Sequence, residues 1–424
     1  MIVITLGLIF YLSVVLVGTA AELILTMNNI RHLKRHGHAV PEPFKGYIDE
    51  DRLTRITDYT VETERFDMVA TVIGVCCLLI VILSGWLPSF VEWLEGYDWG
   101  VVWSGLVFFA VVGTVLTLFS MPFHYYKTFV IEQKYGFNTS SLQTWLIDMA
   151  KGLVLGAVIG GALLLAVLGL VEHGGTLWWL WAWCVFFSFQ LLLLLIYPTL
   201  IAPWFNKFSP LDDEALEEKV TQLMERGGLS VKGVFKMDAG KRSRHTNAYF
   251  TGLGKTKRIV LFDTLVTAHT HDEILSILAH EVGHWRKGHV AKNVVLVGVF
   301  SLAVFFVASL SLNWKPFYSV FGFEQEISYA GLFLLALWWG AISPFFEPVG
   351  NWLSRRFERQ ADAFAVGLTN KSADLKNALR RLAADNLSNL YPHPLYARVY
   401  YSHPPLLERI LYLDKVSDGR SRTE

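Results

Sequence analysis

With 424 residues, 53% of them hydrophobic and only 17% charged, and a mean hydropathy of +0.38, the chain is poorer in charge than soluble domains, where about a quarter of residues are charged. It is read as a membrane protein. The 37 basic and 37 acidic residues cancel, which excludes the concentrated positive face that nucleic-acid phosphates require.

The first apolar stretch, residues 2 to 26, lacks a basic leader and is too long for the core of a signal peptide, so it is expected to stay as a helix. Further stretches lie at 68 to 88, 100 to 123, 152 to 171, 177 to 202, 292 to 313 and 328 to 349. Each is about the 20 residues that a bilayer crossing needs, so seven crossings are expected. The loop after the first span carries Arg31, Lys34, Arg35, Lys45, Arg52, Arg55 and Arg65, and the loop after the third carries Lys127, Lys134 and Lys151. The loops after the second and fourth spans carry none. This alternation puts the amino terminus outside and the 203–291 segment and carboxy terminus in the cytoplasm. The expected organisation is a transmembrane region at 1–202, a cytoplasmic block at 203–291, two more spans within 292–349, and a second cytoplasmic block at 350–424. Cys76, Cys77 and Cys184 all lie in apolar runs, so any metal must be held by His and carboxylates.

In the first polar block, Lys232 to Met237, Asn247 to Thr251 and Arg258 to Phe262 read as strands, with a turn at Gly252 to Lys255. A small sheet of this kind offers an edge on which an extended peptide can be laid by main-chain hydrogen bonds. The run Leu278 to Trp285 follows and contains an H-E-x-x-H sequence in helical context. At 3.6 residues per turn, His280 and His284 stand one turn apart on one face and can reach the same zinc ion. Glu281, beside the first ligand, is placed to take the proton of an attacking water. Leu275, Leu278 and Val282 supply a core-facing stripe, and the small Ala279 and Gly283 are read as leaving room for metal and substrate. His289 lies five residues past His284 and is read as structural or solvated.

A catalytic zinc takes three protein ligands and keeps one position open, so a third ligand must lie downstream. Glu358, in the helical run Ser354 to Asp362, is the choice, with Glu347 at the end of the last span as a rival. Asp362, one turn after Glu358, can accept the other N–H of a zinc-bound His. His403, stiffened by Pro404 and Pro405, could donate to the oxyanion of a tetrahedral intermediate, or could simply belong to a turn.

Together these residues resemble the type I CAAX prenyl protease family, seven-span membrane zinc metalloproteases of the gluzincin clan. The likeness runs through Leu25 to His32, Phe129 to Asn138, Asn247 to Phe250, Ile259 to Leu265, the metal helix, Phe357 to Phe364 and Ser402 to Arg409. It implies a mainly α, polytopic fold in which the helices enclose a water-filled intramembrane chamber, with a small sheet-and-helix peptidase domain at its cytoplasmic end. By the same resemblance His280, His284 and Glu358 are the ligands of one zinc per chain and Glu281 is the general base. Asp362 supports the metal shell, His403 and Arg409 line the site, and Asn247, Ala248 and Tyr249 hold the substrate backbone. Eukaryotic members of the family remove the last three residues of prenylated C-terminal C-a-a-X sequences, and many bacteria have relatives but lack that lipid. Compact loops and the absence of a dilysine signal at the end favour a bacterial inner-membrane member, with the ER membrane as the eukaryotic alternative. The expected partners are a peptide or protein substrate, with a prenylated C-terminus as one option, and the bilayer; a monomer is expected. Two rivals are a quality-control protease with non-prenylated substrates and a non-catalytic membrane chaperone or clamp. A site-two-type intramembrane protease fits less well, because Arg286 and Lys287 follow the motif directly.

Overall fold

The computed structural model describes residues 4–251 and 256–419, so the expected turn at Gly252 to Lys255 and the end of the carboxy-terminal tail lie outside the described residues. Among the described residues, seven helices are long and apolar enough to cross a membrane. They are α1 (Leu6–His36), α2 (Glu50–Leu83), α4 (Gly100–Tyr126, continued as a π-helix over Lys127–Glu132), α5 (Leu142–His173), α6 (Trp178–Ile196, within a helical span Gly175–Phe205), α11 (His289–Ser311) and α13 (Ser328–Ile342, continued by a 3-10 turn to Phe345). A short helix, α3 (Trp86–Glu95), follows α2 on the side away from the polar blocks, and α6 runs through a π-turn into α7 (Ala202–Phe205). Between α11 and α13 lies the five-residue α12 (Lys315–Ser319).

The spans outrun the apolar stretches that announce them. Helix α1 continues to His36, and α2 begins at Glu50 and carries Leu53 and Ile56 into the core of the peptidase block. Once nucleated, a helix adds residues cheaply, and here the added turns find a packing partner. The last span is shorter than expected. Pro344 and Pro348 each remove a backbone donor, so α13 ends in a 3-10 turn and α14 (Glu347–Thr369) starts as a new helix.

Helix α1 packs between α2 and α13, α13 also meets α4 and α11, and α4, α5, α6 and α11 stand side by side, so that five spans close a ring. A solid bundle would bury a stripe along the full length of every span. Here burial is uneven along the spans. One core gathers Leu8, Tyr11, Phe108, Leu168, Tyr318 and Tyr329 at the far end, and another lies in the peptidase block. Helix α2 has no buried residue between the buried Val61 and Ile82, and α5 none before Val167.

The peptidase block begins with β1 (Phe208–Pro210) and α8 (Glu214–Arg226), then β2 (Ser230–Met237), β3 (Ala248–Thr251), β4 (Thr256–Phe262), α9 (Asp263–Ala268) and α10 (His271–Arg286). After the last two spans it is completed by α14, α15 (Ser372–Asp385), α16 (Pro394–Tyr400) and α17 (Leu406–Ser417). The sheet order is β1-β2-β4-β3, with β2 parallel and β3 antiparallel to β4. The sequence gives no sign of β1, whose three residues include Pro210 and which survives only as an edge, where a missing N–H is tolerated. At the opposite edge stands β3. The sequence extends this strand back to Asn247; the ladder begins at Ala248, although the Asn247 carbonyl still accepts the Phe262 N–H at 3.1 Å.

Candidate active site

The helix α10 is fixed first by its start. Thr270 and Glu273 form a capping box, Oγ1 of Thr270 accepting the Glu273 N–H at 3.3 Å and Oε2 of Glu273 accepting the Thr270 N–H at 2.8 Å. Arg381 of α15 then clasps Glu273 at 3.1 Å. Ile274, Leu278 and Val282 pack fully into the block's core, with Leu275 partly buried beside them.

The small residues do something other than leave room for metal. Ala279 is buried in the core, and Gly283 lies directly against α14. A Cβ added there would meet Cα and the carbonyl oxygen of Ala361 at 2.9 Å. Two backbones in contact bring α14 close enough for short side chains to bridge to α10. The turn of α14 opposite Gly283 supplies Glu358, Gln360, Ala361 and Asp362.

Glu358 reaches across to both imidazoles. Its Oε1 lies 3.1 Å from Nε2 of His284 and its Oε2 3.3 Å from Nε2 of His280. The two Nε2 atoms are themselves 3.1 Å apart. The far side of each ring determines what these nitrogens present. Nδ1 of His280 donates to Asp362 at 2.8 Å, so its Nε2 carries a lone pair. His289 Nε2 donates to Oε1 of Gln360 at 2.9 Å, leaving its Nδ1 to accept from Nδ1 of His284 at 3.1 Å; the tautomers follow from this network. Two lone pairs and a carboxylate thus converge, their ligand atoms all within 4.8 Å of one another. Oε2 of Glu358 is buried without a well-directed hydrogen bond, even with Nδ1 of His403 at 2.7 Å. Such a set of acceptors repels itself unless a cation stands between them, and a nitrogen-and-oxygen donor set of this kind fits zinc.

The electrostatics make the same demand. Burial works against a charged His280, yet Asp362 and Glu358 outweigh it and raise its pKa to about 9; a divalent ion meets that demand with a larger charge. Burial also opposes ionisation of Glu358, but the three surrounding imidazoles hold it well below the usual carboxylate range. Asp362, fully buried, is held down to about 2 against its own burial, chiefly by Arg409. That arginine makes a bidentate contact, Nε to Oδ2 at 3.0 Å and Nη2 to Oδ1 at 2.6 Å. It is 9% exposed, and the nearby Asp362, Glu358 and Glu281 carboxylates keep it charged.

Glu281 is half-buried, and its carboxylate makes no hydrogen bond or ion pair among the described residues. His403 and Arg409 reach the site together, because Pro405 caps α17 and accepts the Arg409 N–H at 3.0 Å. His403 is exposed and turns Nδ1 to Glu358, leaving Nε2 without a partner among the described residues. A cavity of about 610 Å³ adjoins these residues and is lined by Asn247, Ala248, His403 and Arg409 among others. Tyr249 is absent from its walls, its hydroxyl lying 3.9 Å from Sδ of Met237. The rival Glu347 is exposed in the first turn of α14, three turns from Glu358.

The sequence reading takes His289 as structural or solvated without giving it a task. It is buried, stacked on Phe357 at 4.1 Å, and orients His284. Gly288, with φ of +66°, separates α10 from α11 and turns His289 back toward His284. The signal was a glycine between two histidines of nominally different faces. Gln360 gave no comparable signal.

The membrane half and the peptidase half each match a known family. Residues 29–207 match the CAAX prenyl protease N-terminal region with five membrane helices, and residues 210–417 match peptidase family M48. The CAAX prenyl protease 1 homolog of Arabidopsis thaliana is 34% identical over 386 residues, covering 88% of this chain and 90% of the relative. The chain belongs to the type I CAAX prenyl protease family. The Saccharomyces cerevisiae CAAX prenyl protease 1 is 38% identical over 333 residues, 74% of this chain and 73% of the relative. The crystal structure of S. mikatae Ste24p aligns with a TM-score of 0.91 at 30% identity, over 97% of this chain and 99% of that one. This family member is accordingly an integral multi-pass membrane metalloendopeptidase, as the sequence resemblance leads one to expect.

Proposed function

We propose that the protein is a zinc-dependent endopeptidase that cleaves near the C-terminus of peptides presented to the open edge of β3, as in the C-a-a-X processing named for its relatives. The observation that carries this reading is the convergence of two Nε2 lone pairs and the Glu358 carboxylate beside an uncommitted Glu281. His280, His284 and Glu358 hold the ion, with Asp362 and His289 fixing the rings. When bound, zinc supplies a Lewis acid for the scissile carbonyl and acidifies the attacking water.

The chain's own groups do the rest. The free edge of β3 pairs with the substrate backbone, with Asn247 and Ala248 at the cavity wall. Glu281 takes the proton from water and passes it to the leaving amine. His403, with Nδ1 turned to Glu358, has Nε2 available to donate to the oxygen that becomes negative. Arg409 acts through Asp362. The alternation of basic residues between loops favours a cytoplasmic site and an outside amino terminus, and the compact loops favour a bacterial inner membrane.

The test is cleavage of a farnesylated C-a-a-X peptide by purified wild type and Glu281→Gln, with zinc measured on both. Cleavage is expected to fall by about 10² to 10⁴ with zinc retained. Undiminished turnover in the zinc-loaded variant would remove Glu281 as the base.

A further inference from the structure

Beyond the catalytic cavity lies a second hollow of about 480 Å³ whose walls include Arg52, Arg55, Arg244, Thr246, Asp263 and Asp385. Thr246 lines both hollows, and the same stretch of chain sends Asp385 to one and Asn386 to the other. The two spaces therefore adjoin at the residues that lead into β3.

The charges of this hollow differ in how far they are committed. Asp263 Oδ1 accepts the backbone N–H groups of Gly240 and Thr264, each at 2.8 Å. Asp385 lies 3.5 Å from Arg52, which also donates to the Ala384 carbonyl at 2.8 Å. Arg55 donates one bond to the Tyr135 carbonyl at 2.5 Å. The guanidinium of Arg244 is exposed and has no partner among the described residues. Its backbone, however, is pinned. The Arg244 N–H donates to Phe137 O at 3.0 Å, and the ring of the next residue, His245, stacks on Phe137 at 4.2 Å. A free cation is thus held in place by its main chain. At the junction of the two hollows, Oγ1 of Thr246 is buried with no hydrogen-bond partner among the described residues, and a buried hydroxyl in that state is a group available to a ligand.

Strand geometry gives the direction. A peptide added antiparallel to β3 runs its C-terminal side toward Asn247 and Thr246. The catalytic cavity takes Thr246, Asn247 and Ala248 from this region and none of Tyr249, Phe250 or Thr251, so its room lies on that side. Three extended residues span about 10 Å, which carries the end of a tripeptide leaving group past the start of β3 toward the arginines.

We infer that this second hollow receives the C-terminal carboxylate of the substrate, with Arg244 as its main contact and Arg55 beside it. The inference rests on the C-terminal endopeptidase reading above and adds a carboxylate site that makes the enzyme count residues from the chain end. Charge-assisted bonds of an arginine to a carboxylate supply the discrimination.

The test compares kcat/KM on a farnesylated C-a-a-X peptide ending in a free acid and on its C-terminal carboxamide twin. Wild type is expected to prefer the acid by about tenfold to a hundredfold, with the difference carried by KM. In Arg244→Gln the acid-to-amide ratio is expected to fall toward one, and in Arg244→Lys to recover in part. Zinc content of each variant reports that the fold is intact. A wild-type ratio near one, or a ratio unchanged in Arg244→Gln, overturns the carboxylate site while leaving the peptidase standing. Cleavage of neither peptide by zinc-loaded wild type removes the substrate reading and this inference with it.

Discussion

The two imidazoles of the site are held in the same tautomer by opposite means. His280 leans on a buried carboxylate that a buried guanidinium keeps ionised, so a full negative charge stands behind the ring. His284 leans on a neutral chain of His289 and Gln360. Both supports are anchored on the same turn of α14, at Asp362 and Gln360, and between them Ala361 meets Gly283. The comparison teaches that orientation and charge are separable. The His284 arm supplies orientation alone, while the His280 arm also raises the electron density on the ligand.

The largest effect is expected from Asp362→Ala. It strands the Arg409 guanidinium in the interior, and breaking a buried pair of this kind costs about 3–5 kcal/mol. Zinc affinity should drop about a hundredfold, read by competition with a chelator. Next comes Gly283→Ala, where a new methyl group would sit on the Ala361 backbone. Overpacking of this kind costs about 1–3 kcal/mol, and because it separates α10 from α14, zinc occupancy should fall together with the denaturation midpoint. The smallest effect belongs to Gln360→Ala. It leaves His289 to find another acceptor, and zinc affinity should weaken only about tenfold with stability nearly unchanged. If Gln360→Ala costs as much zinc affinity as Asp362→Ala, charge on the supporting arm is irrelevant and the distinction between the two arms collapses.

Much of this site was legible because its parts are written locally. H-E-x-x-H encodes its geometry within one helical turn, and the spacing of Glu358 to Asp362 does the same on another helix. The seven spans were equally visible, since a bilayer imposes a length and an apolarity that few other segments satisfy. What escaped was set by contacts between distant segments. Gly283 reads as a small residue beside a ligand, and only the approach of α14 shows that it is an interhelical contact. His289, five residues past His284, reads as structural or solvated, and only the left-handed break at Gly288 brings it to His284. The strand β1 is too short and too proline-bound to carry a pattern.

The seven apolar spans and the two helices that carry the His and Glu candidates are legible in the sequence, because each shows as a run or a periodicity within about twenty residues. Tertiary packing brings His280 and Glu358 together, sets which supports are charged, and places the start of β3 between the cavity beside His403 and a cluster of arginines. Those arrangements rest on packing between segments far apart in the chain, such as Arg409 against Asp362 and Phe137 against His245, and no local pattern encodes which distant backbone a side chain will touch.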